Sequence, residues 1–97
     1  MKYDLENKVL TLYFEGELNS SNSEDVEKEV EGITAKKGFK SIILDLDKLV
    51  YISSAGLRII AGLKQQYDDV TLVKVPEGVY DIFEMVGFQN LMTIEKK

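Results

Sequence analysis

Within residues 44–63 an apolar run that reads as a strand gives way to a second that reads as a helix, and Ser53 and Ser54 sit at the junction. The first N–H groups of a helix have no partner inside it, and its dipole favours negative charge there. A serine at such a place has two possible roles. It can cap the helix, which stabilises by about 0.5–2 kcal/mol. It can also be a hydroxyl that is modified or bound, with an added charge that the helix end tolerates. Position alone leaves both roles open.

Other chemistry is scarce. The chain has no His and no Cys, which removes Ser–His and Cys–His catalysis, disulfides and the usual zinc ligands. Gly-x-Ser-x-Gly is absent, as are the glycine-rich loops that cradle phosphate. Lys48 is the lysine nearest to Ser54 in sequence and reads as an exposed loop charge. Asp45 and Asp47 share one face of a strand, but two carboxylates without further ligands make a poor cation site. A formal net charge of −5 argues against direct nucleic-acid binding. No apolar run approaches the roughly 18 residues of a membrane span, and no signal-peptide pattern opens the chain. The expectation is a cytoplasmic binding domain with no membrane attachment, not an enzyme.

The residues around the serines carry a resemblance. Leu44-Asp45-Leu46 followed by Tyr51-Ile52-Ser53-Ser54-Ala55-Gly56-Leu57 resembles the signature of bacterial anti-sigma factor antagonists, stand-alone members of the STAS family. Glu15-Gly16-Glu17-Leu18 is similar to the family's Gly-Glu-Leu-Asp turn, and Phe83-Glu84-Met85-Val86-Gly87-Phe88 to its late Leu-Phe-x-x-x-Gly-Leu motif. The resemblance implies that Ser54 is phosphorylated by a partner kinase. Ser53 stands where the family commonly has an acid, and Asn19 replaces the acid of the early turn, so Ser53 is the alternative acceptor. The implied partners are an anti-sigma factor that is often itself a serine kinase, and a serine phosphatase. ATP and Mg²⁺ belong to that kinase, so the chain needs no cofactor or metal. The implied partner surface comprises Asn19, Ser20, Ser21, Ser53, Ser54, Leu57 and Arg58, on a monomer or weak dimer. Two other readings remain: an unphosphorylated STAS interaction or scaffold module, and a receiver-like phosphoacceptor domain offering Glu15 and Glu17 beside Asn19.

These residues need elements to position them. At 97 residues the chain is long enough for one domain with a real core, spanning residues 1–97. Residues 1–6 read as an edge strand, with a turn at Asn7-Lys8. Residues 9–18 read as a strand with Leu10, Leu12 and Phe14 on one face. Ser21 with Glu24 fits a capping box, with Asn22 or Ser23 as alternative caps. Val26, Val30 and Ile33 then form the apolar stripe of an acidic helix that Lys36, Lys37 and Gly38 close. Residues 41–47 alternate, with Ile42, Leu44 and Leu46 opposite Ile43, Asp45 and Asp47. A strand apolar on one side calls for helices on one sheet face.

The helix over residues 54–67 carries Leu57, Ile60, Ala61 and Lys64 on one face, widened by Ile59 and Leu63. Gly56 and Gly62 are expected to let it approach the sheet. After a turn at Asp68-Asp69 and a strand over 70–75, Pro76 opens a helix that Gly87 ends, with Phe88 packing back. Residues 91–95 read as a last strand, and Lys96-Lys97 as a frayed end. The expected fold is α/β: a small mixed, mostly parallel sheet of four to five strands with helices packed mainly on one face, as the STAS resemblance also implies.

Overall fold

The structure is a computed structural model that describes residues 1–36 and 38–97. Five strands form one sheet in the order β1 (Lys2–Glu6), β2 (Val9–Leu18), β3 (Ser41–Ile52), β4 (Val70–Val75) and β5 (Thr93–Lys96). Asn7 and Lys8 both take positive φ and turn β1 back antiparallel to β2, the backbone of a two-residue hairpin turn. All other pairings are parallel. Each needs a crossover, supplied by α1 (Ser23–Thr34), α2 (Ser54–Gln66) and α3 (Glu77–Met85). A 3₁₀ turn over Phe88–Asn90 leads into β5.

The register explains why one sheet face is apolar. Leu10, Ile42 and Val70 lie side by side, as do Leu12, Leu44 and Leu72, and all six are buried. They share one core with Val30 and Ile33 of α1, Ile59, Ile60 and Leu63 of α2, and Val79 and Phe83 of α3. The opposite rows carry Thr11, Ile43 and Thr71, then Tyr13, Asp45 and Val73. These are half-buried, except that Asp45 is only 8% exposed. Its carboxylate accepts the Asp47 N–H at 3.0 Å and meets Lys74 Nζ at 3.6 Å. Asp47 in turn pairs with Lys97 at 3.3 Å. The two aspartates are thus engaged by lysines.

Several expected details are corrected. β3 runs on to Ile52 rather than stopping at Asp47. Its ladder with β2 jumps from Tyr13/Asp45 to Glu15/Lys48 and from Gly16/Leu49 to Glu17/Tyr51. At each jump β3 holds one residue more than its partner, so buried positions fall at Leu46, Leu49 and Ile52. The N-cap of α1 is Asn22, one of the two alternatives to Ser21, and its side chain makes no capping hydrogen bond. Its first turn keeps Glu24 and Asp25, which suit the dipole. Lys37, expected to help close α1, lies outside the described residues.

Gly56 packs as expected: a Cβ there would lie 2.7 Å from Leu18 Cγ and 2.8 Å from Ile52 Cγ1. Gly62 does not, since nothing lies within 4 Å of such an atom. The chain end is ordered into the sheet. Lys96 pairs with Val75, and the Lys97 N–H donates to the Val75 carbonyl at 2.9 Å. Gly87 turns α3 at φ 79°, and the ring of Phe88 stacks on Phe83 at 5.4 Å between centroids.

Candidate functional site

Parallel strands bring their C-terminal ends to one edge of the sheet, and loops after those ends collect there. β2 leads to the 19–22 loop, and β3 leads directly to Ser53 and α2. The two are tied together: the Ser53 N–H donates to the Leu18 carbonyl at 2.8 Å. Gly56 then lets the first turn of α2 rest on Leu18 and Ile52.

The two serines have different environments. Ser53 is the N-cap of α2, with φ −94° and ψ 175°. Its Oγ accepts the Gly56 N–H at 3.3 Å, and its carbonyl accepts the Leu57 N–H at 2.9 Å. Ser53 is half-buried. Ser54 is the first helical residue and is exposed, and its Oγ makes no hydrogen bond among the described residues. Leu57 is half-buried against the core, and Arg58 is exposed on the outer face.

Beside them the 19–22 loop is a compact knot. Asn19 Oδ1 accepts the N–H groups of Ser21 at 2.9 Å and Asn22 at 3.1 Å, an Asx turn. The Asn19 N–H donates to Asn22 Oδ1 at 2.9 Å, and Asn22 Nδ2 to the Glu17 carbonyl at 2.7 Å. Asn19 is therefore spent on holding the loop, while Ser20 and Ser21 stand exposed. The fold thus gathers the expected surface residues at one end of the sheet, with Asn19 and Leu57 turned partly inward.

Sequence reasoning missed two neighbours. Val50 and Tyr51, in the last turn of the bulged strand before Ser53, are 72% and 47% exposed. The signal lay in two apolar residues that break the alternation after Asp47. A concavity of about 630 Å³ opens on the helix-free side against Tyr13, Asp45, Lys48 and Lys74, and neither serine lines it. Lys48 thus belongs to that side and is not poised as a base for Ser54. Among the described residues no group of three or more acidic side chains is arranged for a metal, and no helix is long and apolar enough to cross a membrane.

The arrangement thus places an exposed hydroxyl, unengaged among the described residues, at the start of a helix. Comparisons with known proteins identify the family. The STAS domain pattern matches residues 2–97. BtrV of Bordetella bronchiseptica, a candidate anti-sigma factor antagonist, is 33% identical over 90 residues, covering 89% of this chain and 77% of BtrV. The crystal structure of a candidate anti-sigma factor antagonist from Thermotoga maritima superposes with a TM-score of 0.89 at 23% identity, covering 99% of this chain and 86% of that one. Unphosphorylated SpoIIAA, an anti-sigma factor antagonist of Bacillus that also has a phosphorylated form, gives 0.76 at 17% identity over 96% and 87% of the two chains. At such identities the structural likenesses carry the fold.

Proposed function

The chain belongs to the STAS domain family of anti-sigma factor antagonists, and from that premise we propose that it binds an anti-sigma factor while Ser54 is unmodified and lets go once Ser54 is phosphorylated. Binding frees the sigma factor that the anti-sigma factor would otherwise hold. The partner is also a serine kinase. It transfers the γ-phosphoryl group of ATP to Ser54 Oγ, so the new O–P bond replaces the bond to ADP and the hydroxyl proton leaves to a base on the kinase. A serine phosphatase hydrolyses the ester and resets the chain. ATP and Mg²⁺ belong to the kinase; this chain is a substrate, brings no cofactor and works in the cytoplasm as a monomer or weak dimer.

One observation carries the choice of residue. Ser53 spends its Oγ on the Gly56 N–H, whereas Ser54 is exposed with its hydroxyl unengaged among the described residues. A phosphate there adds about −1.5 to −2 charge. The unpaired N–H groups of α2 tolerate that charge, so the domain keeps its fold. A partner pressed against Asn19, Ser20, Ser21, Ser53, Ser54, Leu57 and Arg58 would have to desolvate it, and binding is lost.

The test is to incubate the protein with ATP, Mg²⁺ and the candidate anti-sigma kinases of its source cell, then locate any phosphate by mass spectrometry. Phosphate on Ser54 is expected. Phosphate on Ser53 would keep the pathway and move the acceptor. None, with a kinase that binds the domain, would favour an unswitched interaction module, a reading that the exposed Val50 and Tyr51 beside the site also support. Ser54→Asp is expected to weaken partner binding by more than about 1.4 kcal/mol, a tenfold loss, in a protein that stays folded.

A further inference from the structure

We propose that Arg58 is the residue that captures the phosphate on Ser54, so that modification both adds a charge and withdraws a cation from the partner surface. The inference rests on Ser54 being the acceptor. Exposed positions on α2 fall at Ser54, Arg58, Gly62, Gln65 and Gln66, one outward stripe, while Ile59, Ile60 and Leu63 are buried. Ser54 and Arg58 are therefore neighbours at i and i+4 on the free surface of the helix.

Direction favours the pairing. Helical side chains lean toward the helix N-terminus, so a long side chain at Arg58 reaches back over the turn that begins at Ser54. An acid placed four residues before a base is also the better order for an ion pair on a helix. Gly62, one turn further on, has no side chain to compete for the guanidinium or to screen it.

Arg58 has no other hydrogen-bond or ion-pair partner among the described residues. It is the one charged residue in the 54–63 segment, and Ser54, Ala55, Ala61 and Gly62 occupy the positions three and four residues from it. Among the described residues it takes part in none of the ion pairs, which involve the N-terminus, Lys74 and Lys97. A guanidinium offers a planar fork of donors that matches phosphate oxygens in pairs, so a phosphoserine at this spacing gives it a bidentate partner. In the unmodified chain the same fork faces outward, open to a carboxylate of the anti-sigma factor. Phosphorylation turns it along the helix surface toward residue 54.

The experiment uses the full chain with phosphoserine installed at position 54 during translation, so it does not depend on any kinase. The second ionisation of the phosphate is followed by ³¹P NMR in the otherwise unchanged chain, in Arg58→Gln and in Arg58→Lys. Pairing with Arg58 favours the dianion, so the pKa in the unchanged chain is expected to lie lower than in Arg58→Gln by about 0.3 or more, at least twofold in proton affinity. Arg58→Lys is expected to fall between them. Equal pKa values in the unchanged chain and Arg58→Gln would overturn the capture. A kinase that modifies Ser53, or no residue, would instead overturn the choice of acceptor and leave the NMR result standing. In binding, Arg58→Gln is expected to weaken the unmodified complex and to shrink the further loss caused by phosphate. Strictly additive effects in that double-mutant cycle would count against the shared role.

Discussion

A hydroxyl that already accepts a backbone hydrogen bond and one that accepts none answer differently to removal. Ser53→Ala deletes the N-cap of α2 and is expected to cost about 1 kcal/mol in urea unfolding, within the usual 0.5–2 for such caps, while phosphate incorporation at the neighbouring residue persists. Ser54→Ala removes an exposed oxygen with no partner among the described residues and should change stability by less than about 0.5 kcal/mol while abolishing phosphate incorporation. A large stability loss from Ser54→Ala with none from Ser53→Ala would reverse the two assignments. Tyr13 gives a pH reading at the same scale. Its hydroxyl donates to Asp4 Oδ2 at 2.8 Å, and that bond, with some burial and the charges of Asp4, Asp45 and Glu6, raises its pKa above the usual tyrosine value. The folded state thus holds this proton where the unfolded chain has lost it, so stability from this group is complete below pH about 10 and falls as pH rises through the folded value. In Tyr13→Phe the high-pH component of the ultraviolet phenolate titration should vanish.

The elements were legible wherever one period held throughout. Alternation at Leu10, Leu12 and Phe14 and at Ile42, Leu44 and Leu46, and the stripe of Val26, Val30 and Ile33, placed β2, the first half of β3 and α1 with their buried faces. β3 was read short because its pattern changes from every second residue to every third, Leu46, Leu49, Ile52, and only the pairing with β2 shows that two bulges absorb the extra residues. The capping box of Ser21 with Glu24 did not form, and Asn22, an alternative in the sequence, takes the cap position, because Asn19, a turn residue with its own hydrogen-bonding side chain, organises the loop and leaves Asn22 facing backward into it. Of the candidate site, the serines were visible from the motif, but which one caps was a matter of register at the helix start. The glycines of α2 show the same limit, since nothing in the sequence separates Gly56 from Gly62. Gly56→Ala should gain about 1 kcal/mol of helix propensity yet destabilise on balance, because overpacking against buried Leu18 and Ile52 costs about 1–3. Gly62→Ala has open space and should stabilise by about 0.5–1 kcal/mol. Thermal unfolding of the two variants in parallel tests the pair, and stabilisation by Gly56→Ala would show that the helix does not rest on those side chains.

Across the whole molecule, the pairing of β3 is densest away from the site. β3 is central, but β4 flanks it only over Ile42, Ile43, Leu44 and Asp45; beyond Asp45 its ladder is with β2 alone. Successive N–H groups of a strand point to alternate neighbours, so in the 46–52 segment those aimed toward the β4 side have no ladder partner. Amides at 42–45 should therefore exchange with solvent only through global unfolding, and alternate amides at 46–52 through local opening of lower free energy. The more easily opened half is the half that ends in Val50, Tyr51 and the two serines, so a partner can order it without disturbing the centre of the sheet. Adding the unphosphorylated protein's anti-sigma partner should slow exchange across residues 48–58 and leave 42–45 unchanged. The opposite end of the molecule carries its own exposed apolar residues, Met85, Val86 and Leu91. Protection appearing there instead, with none at 48–58, would place the partner surface on that end and separate it from Ser54.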